Sequence, residues 1–212
     1  MKKAKIAVLV SGGGTNLQAL INAQEKGIIK SGAIELVISN RADAYALTRA
    51  ERAGIKTEAV LRKSCAGSDE FEGRIMSLLE GNKIDIIVLA GFMAILSEKF
   101  TAAYPERIIN VHPSLIPSFC GKGFYGLHVH EAVLDYGVKV TGATVHFVNE
   151  IPDGGKIIMQ KAVKVHDGDT PKTLQKRVMQ LAEWKILPLS VEKVCAELCR
   201  GANNDGGVSR KF

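Results

Sequence analysis

Ile86-Ile87-Val88-Leu89-Ala90 decides the fold. Five consecutive apolar residues leave no polar face, so the stretch predicts a strand covered on both sides, as in the middle of a parallel sheet. It sits within a run spanning 84–90, and similar β-branched runs recur near 5–10, 34–39, 57–61 and 107–111. Helical patterns fall between and after them, near 15–27, 43–53, 69–80, 95–103, 128–136 and 171–199. This alternation is the signature of stacked βαβ units, so the fold class is α/β: one doubly wound domain with a mostly parallel sheet.

Local signals refine that outline. Phe71, Ile75, Leu78 and Leu79 share one helix face, and Gly81 stands where a left-handed C-terminal cap belongs. Thr170-Pro171 reads as an N-cap followed by a first-turn proline, and Pro188 is expected to kink or divide the helical stretch that follows. Runs near 140–148 and 156–164 are joined by the turn-rich Asn149-Glu150-Ile151-Pro152-Asp153-Gly154-Gly155, which predicts an antiparallel pair appended to the sheet.

The chain's 212 residues, 46% of them hydrophobic, suit one domain with a sizeable core, placed at 1–200. Residues 201–212, without apolar periodicity, read as a disordered tail. The longest nearly apolar run, residues 84–96, contains Asp85 and is too short to span a membrane, so a soluble protein is expected. The basic start gives way after five apolar residues to Ser11 and three glycines, a strand of a cytoplasmic protein instead of a signal peptide. Four cysteines without CxxC spacing suggest reduced thiols. The net charge of +6 is scattered, so it does not imply nucleic acid.

The first strand runs into Ser11-Gly12-Gly13-Gly14-Thr15-Asn16 and then a helix. Glycines allow close approach of a ligand to the backbone, and free N–H groups at a helix N-terminus receive anions. No Gly-Lys-Ser/Thr follows, and Leu17 stands where a dinucleotide fingerprint needs its third glycine. On spacing alone a phosphate cradle and a plain tight turn both remain open.

A second signal is Asn110-Val111-His112 at the end of a strand, where ligands bind in parallel sheets. Residues two apart on a strand point the same way. A protonated imidazole and a neutral amide could cradle an oxyanion on an attacked carbonyl, and a carboxylate nearby, such as Asp153, would raise the histidine pKa. A capped strand end and an ordinary turn aspartate account for the same residues. His128 and His130 read as capping or surface residues, with no third metal ligand in reach, and His146 as a satisfied core histidine.

Taken in order, Ser11-Gly-Gly-Gly-Thr-Asn-Leu-Gln18, Val88-Leu-Ala-Gly-Phe-Met93, Ile109-Asn-Val-His-Pro-Ser-Leu-Ile-Pro117, Gly126-Leu-His128, Val145-His-Phe-Val148 and Asp153-Gly-Gly155 resemble the phosphoribosylglycinamide formyltransferase family. The resemblance implies a Rossmann-like formyltransferase fold and transfer of a formyl group from 10-formyltetrahydrofolate to the amine of glycinamide ribonucleotide. It implies Asn110, His112 and Asp153 as the catalytic set, with Asp153 holding His112 charged. Gly14, Thr15, Asn16 and Glu183 would bind the ribonucleotide. Met93, Ala94, Ile95 and Leu96, with Asn110 and Val148, would bind the folate. Reduced folate is a cosubstrate, and no tightly bound cofactor or metal is implied. Oligomeric state is not fixed, and a homodimer is one candidate.

The chain departs from the family pattern at three places. Ala94 replaces a common arginine, residues 177–188 are one longer than in many members, and residues 118–125 replace a shorter proline-containing link. That last segment, with Gly121, Gly123 and several aromatics, is expected to form an exposed, mobile flap beside His112. Methionyl-tRNA formyltransferase and formyltetrahydrofolate deformylase share the chemistry but carry additional domains, for which 212 residues leave no expected room. A non-catalytic phosphometabolite-binding module is the alternative from another class.

Overall fold

The computed structural model describes residues 3–204. Seven strands form one sheet in the order β3-β2-β1-β4-β5-β6-β7. They are β1 (Ala4–Val10), β2 (Gly32–Ser39), β3 (Lys56–Ala59), β4 (Ile86–Leu89), β5 (Ile108–His112), β6 (Val140–Phe147) and β7 (Ile157–Lys164). Strands β1 to β5 pair in parallel, whereas β5–β6 and β6–β7 are antiparallel, so the appended pair is joined through a reversal at β5.

The apolar run of β4 is central because both its faces are covered. Ile86 and Val88 join a core shared with helices α1 (Thr15–Glu25), α2 (Tyr45–Arg52), α5 (Leu127–Tyr136), α6 (Pro171–Val178) and α7 (Trp184–Asn204). Ile87 and Leu89 join a second core with α3 (Ser68–Gly81) and α4 (Glu98–Ala103). Alternation along β1 does the same: Ile6, Val8 and Val10 face the first core, Ala7 and Leu9 the second. Replacing a wholly buried side chain such as Leu36 by Ala would cost about 2–5 kcal/mol, since the surrounding layers close only partly around the cavity.

Several boundaries differ from expectation for local reasons. The helix expected near 95–103 begins only at Glu98, because the Ser97 hydroxyl caps it by accepting the Phe100 N–H at 3.2 Å. This leaves Met93, Ala94, Ile95 and Leu96 as loop. Gly81 remains helical, and the left-handed residue is Lys83 at φ 54°, while the Asn82 side chain donates to the Leu78 carbonyl at 2.7 Å.

Thr170 forms a capping box with Thr173, as its position before Pro171 suggested. The following helical stretch is divided, however, upstream of Pro188, by a π-helical turn at Met179–Glu183. Helix α7 then continues through Asn204, so the expected tail overlaps its last turn, and residues 205–212 lie outside those described.

Candidate active site

In a parallel sheet the crevice opens where neighbouring connections leave in opposite directions. That point lies here between β1 and β4, whose carboxyl ends lead into the glycine loop (residues 11–16) and the loop of residues 93–97. The Ser11 hydroxyl ties the two loops by accepting the Met93 N–H at 2.8 Å. A cleft of about 990 Å³ runs from there past the ends of β5 and β6. Gly14, Thr15, Asn16, Met93, Ala94, Ile95, Leu96, Asn110, His112, Val148, Asp153 and Glu183 all line it.

On the side of the first core Gly14 precedes α1 with φ 72°, and a Cβ there would lie 2.6 Å from Ala46 Cβ. Only glycine satisfies both the left-handed backbone and the packing of α2. Arg49 Nε donates to the Gly13 carbonyl at 2.8 Å, fixing the loop, and the first N–H groups of α1 have no partners within the helix. Asn16 donates to Glu183 Oε2 at 2.7 Å across the cleft floor. Burial pushes the Glu183 carboxyl up to about 7 despite that amide bond.

On the side of the second core Met93 and Ile95 are exposed, Ile95 at 74%. The loop carrying them is anchored from below by the buried Glu72, which accepts the Ser97 N–H at 2.8 Å and the Ser97 hydroxyl.

Farther along the sheet Asn110 and His112 project from β5, and Asp153 reaches them from the β6–β7 connection with a left-handed φ of 56°. A Cβ on Gly155 would come within 1.8 Å of the Phe147 carbonyl, so the Asp-Gly-Gly connection lies against the end of β6. Asp153 Oδ2 accepts the Gly121 N–H at 2.8 Å and stands 3.5 Å from His112 Nδ1. Burial raises the Asp153 carboxyl, but hydrogen bonding to His146, the charge of His112 and the Gly121 N–H outweigh it, and the group lies below its ordinary value.

His112 corrects a sequence expectation. Asp153 does draw its pKa upward, yet burial acts more strongly in the opposite direction and the imidazole lies below 6.5. Its Nε2 donates to the Phe119 carbonyl at 2.8 Å. The flap is thus beside His112, but Phe119 packs against the core and meets Phe124 and Tyr136 edge-on instead of lying exposed; Tyr125 is exposed.

His146 belongs to this cluster, which its strand position alone did not reveal. It is buried opposite Asn110 in the β5–β6 register, donates from Nδ1 to the Phe147 carbonyl at 2.7 Å, and turns Nε2 toward Asn110 Nδ2 at 3.2 Å and Asp153 Oδ1 at 3.5 Å. A register shift in the β6–β7 pairing falls beside it, between Val145 and His146. His128 is exposed and pairs with Glu131, whereas His130 is wholly buried and lines the cleft, contrary to a surface reading. Among the described residues no group of three or more His, Cys, Asp or Glu could hold a metal ion.

A formyl transferase family model matches residues 4–191. The chain is 42% identical to phosphoribosylglycinamide formyltransferase of Haemophilus influenzae over 188 residues, covering 89% of this chain and 85% of that one. The chain belongs to the phosphoribosylglycinamide formyltransferase family. The solved glycinamide ribonucleotide transformylase 1 of Symbiobacterium toebii superposes on this family member with a TM-score of 0.86 at 38% identity, over 92% of this chain and 89% of that one. This chain is also 48% identical over 195 residues to the human trifunctional purine biosynthetic protein adenosine-3, covering 92% of this chain but spanning only 19% of that protein. No helix among the described residues is long and apolar enough to cross a membrane.

Proposed function

We propose that the protein transfers the formyl group of 10-formyltetrahydrofolate to the amino group of phosphoribosylglycinamide, a step of purine biosynthesis. The observation that carries the reading is the convergence of Asn110, His112 and Asp153 in the same cleft that the glycine loop and the loop of residues 93–97 line. The N–H groups at Gly14, Thr15 and Asn16 would take the ribose phosphate, and Glu183 the ribonucleotide beside it. The backbone of Met93, Ala94, Ile95 and Leu96, with Val148 opposite, would take the folate ring. Backbone recognition makes the side chain at Ala94 dispensable.

In this mechanism the amine nitrogen bonds to the formyl carbon and the carbonyl electron pair moves onto oxygen. Asn110 Nδ2 and His112 donate to that oxyanion. In the free protein burial keeps the His112 pKa low, but a negative charge forming beside it adds to that of Asp153 and favours the imidazolium. Release of the Phe119 carbonyl from Nε2 frees the donor. The proton lost by the amine passes by way of Asp153, and collapse of the adduct breaks the bond to N10, which takes up a proton. Purified protein should convert 10-formyltetrahydrofolate to tetrahydrofolate only when the ribonucleotide is present. Folate turnover without the amine would make it a deformylase, and no turnover with both substrates would refute the proposal.

A further inference from the structure

His130 stands on the inner face of the first turn of α5, wholly buried, and neither ring nitrogen has a hydrogen-bond partner within the protein. Buried polar groups are nearly always paired, because an unpaired donor or acceptor forfeits its hydration without return. The exception here lines the cleft. Burial, and secondarily the charge of His112, take its pKa down to about 4, so the ring is neutral near pH 7, with one nitrogen donating and the other accepting.

The two-layer build of the domain says which side of the cleft it serves. Helix α5 packs on α6 and shares the first core with α1 and the π-helical turn, through Val133, Leu174, Leu17 and Ala182. That layer also carries Thr15 and Glu183, which line the cleft. The loop of residues 93–97 belongs to the opposite layer, where Leu96 and Ala94 pack with α3 and α4.

We infer that His130 is a substrate-contacting residue that hydrogen-bonds the polar glycinamide arm of the ribonucleotide beside His112, and that it does not touch the folate. The inference rests on the function proposed above. Its chemistry fits an amide- or amine-bearing arm, which offers both donors and acceptors to a neutral imidazole.

The experiment compares His130→Leu and His130→Gln with the unaltered enzyme in kinetics, and follows the His130 ring resonances of unaltered protein, assigned by their absence in His130→Gln. His130→Leu should raise the KM for the ribonucleotide about tenfold, the effect of losing one neutral hydrogen bond to substrate, with the KM for folate within about twofold. His130→Gln, which keeps a donor and an acceptor, should recover most of that loss. The ring resonances should move on adding ribonucleotide and stay in place on adding folate alone. Unmoved resonances with ribonucleotide, or equal KM changes for both substrates, would overturn the inference. Failure of the unaltered enzyme to transfer formyl would strike the functional reading instead, while the resonances still report whether His130 meets the ribonucleotide. If His130→Leu does not fold, the resonance shifts and His130→Gln decide.

Discussion

The glycine loop of residues 11–16 and the flap of residues 118–125 are both glycine-rich walls of one cleft, yet their glycines act differently. Gly14 is compelled twice, by φ 72° and by Ala46 within 2.6 Å of its missing Cβ. Gly121 and Gly123 have φ of 86° and 95° but open space around them. The first loop is locked by packing. The flap is held by Phe119 packing on the first core and by hydrogen bonds to Ser114, His112 and Asp153, the last two being the groups that move protons in the proposed mechanism. In the proposed function one wall holds a substrate and the other answers to the chemistry.

Substitutions can break this contrast, and the largest effect belongs to the groups the flap contacts. His112→Ala, Asn110→Ala and Asp153→Asn should each lower turnover by roughly 10²–10⁴-fold, with ribonucleotide affinity little changed. Adding Asp153→Asn to His112→Ala should cost little more, since both act on one transition state; losses that multiply would separate them. In Asp153→Asn alone the acidic limb of the pH profile should move to lower pH. The Asp153 charge raises the His112 pKa, and without it burial acts unopposed by that charge.

Stability distinguishes the two walls next. Gly14→Val should destabilise the fold by about 3 kcal/mol, combining a left-handed backbone with a clash against α2, whereas Gly121→Ala should cost about 1 kcal/mol from backbone strain alone. Equal shifts in denaturant midpoint would erase the distinction. Because Gly14→Val confounds folding with binding, Gly13→Asp is the sharper probe of the anion site. Its Cβ meets nothing within 4 Å, and its carboxylate should weaken ribonucleotide binding about tenfold or more in calorimetry while sparing folate. A smaller effect concerns pH. Glu183 holds its proton to about pH 7 when folded, against 4.5 as the ordinary value, so the folded state binds the extra proton between those limits. Stability from this group therefore falls as pH rises from about 4.5 to 7, and Glu183→Gln should flatten that slope in denaturation series.

What could be read in advance follows the same division. Strands such as β4 were legible because their pattern is set by burial on both faces, and the glycine loop because its residues are consecutive. His146 was not, since the cue is its cross-strand pairing with Asn110, 36 positions away. His130 was misread because its burial is a tertiary property: the neighbouring His112 comes from β5, 18 positions away. The direction of the His112 shift depended on burial, and neither that nor the inward packing of Phe119 is carried by local composition. Helix ends shifted where a side chain, Ser97 or Asn82, took over a backbone hydrogen bond.

The π-helical turn at Met179–Glu183 solves a problem of phase. Each residue in an α-helix advances the face by about 100°, so one inserted residue between Arg177 and Pro188 would swing everything downstream by more than a quarter turn. A turn closed by wider hydrogen-bonded rings absorbs the residue locally. Leu174 and Val178 before it and Ile186, Leu187, Val191 and Val194 after it consequently face the same core. Glu183 closes the widened turn within reach of Asn16, so the angular slack is taken up beside the cleft and the helix beyond it stays in register with the sheet.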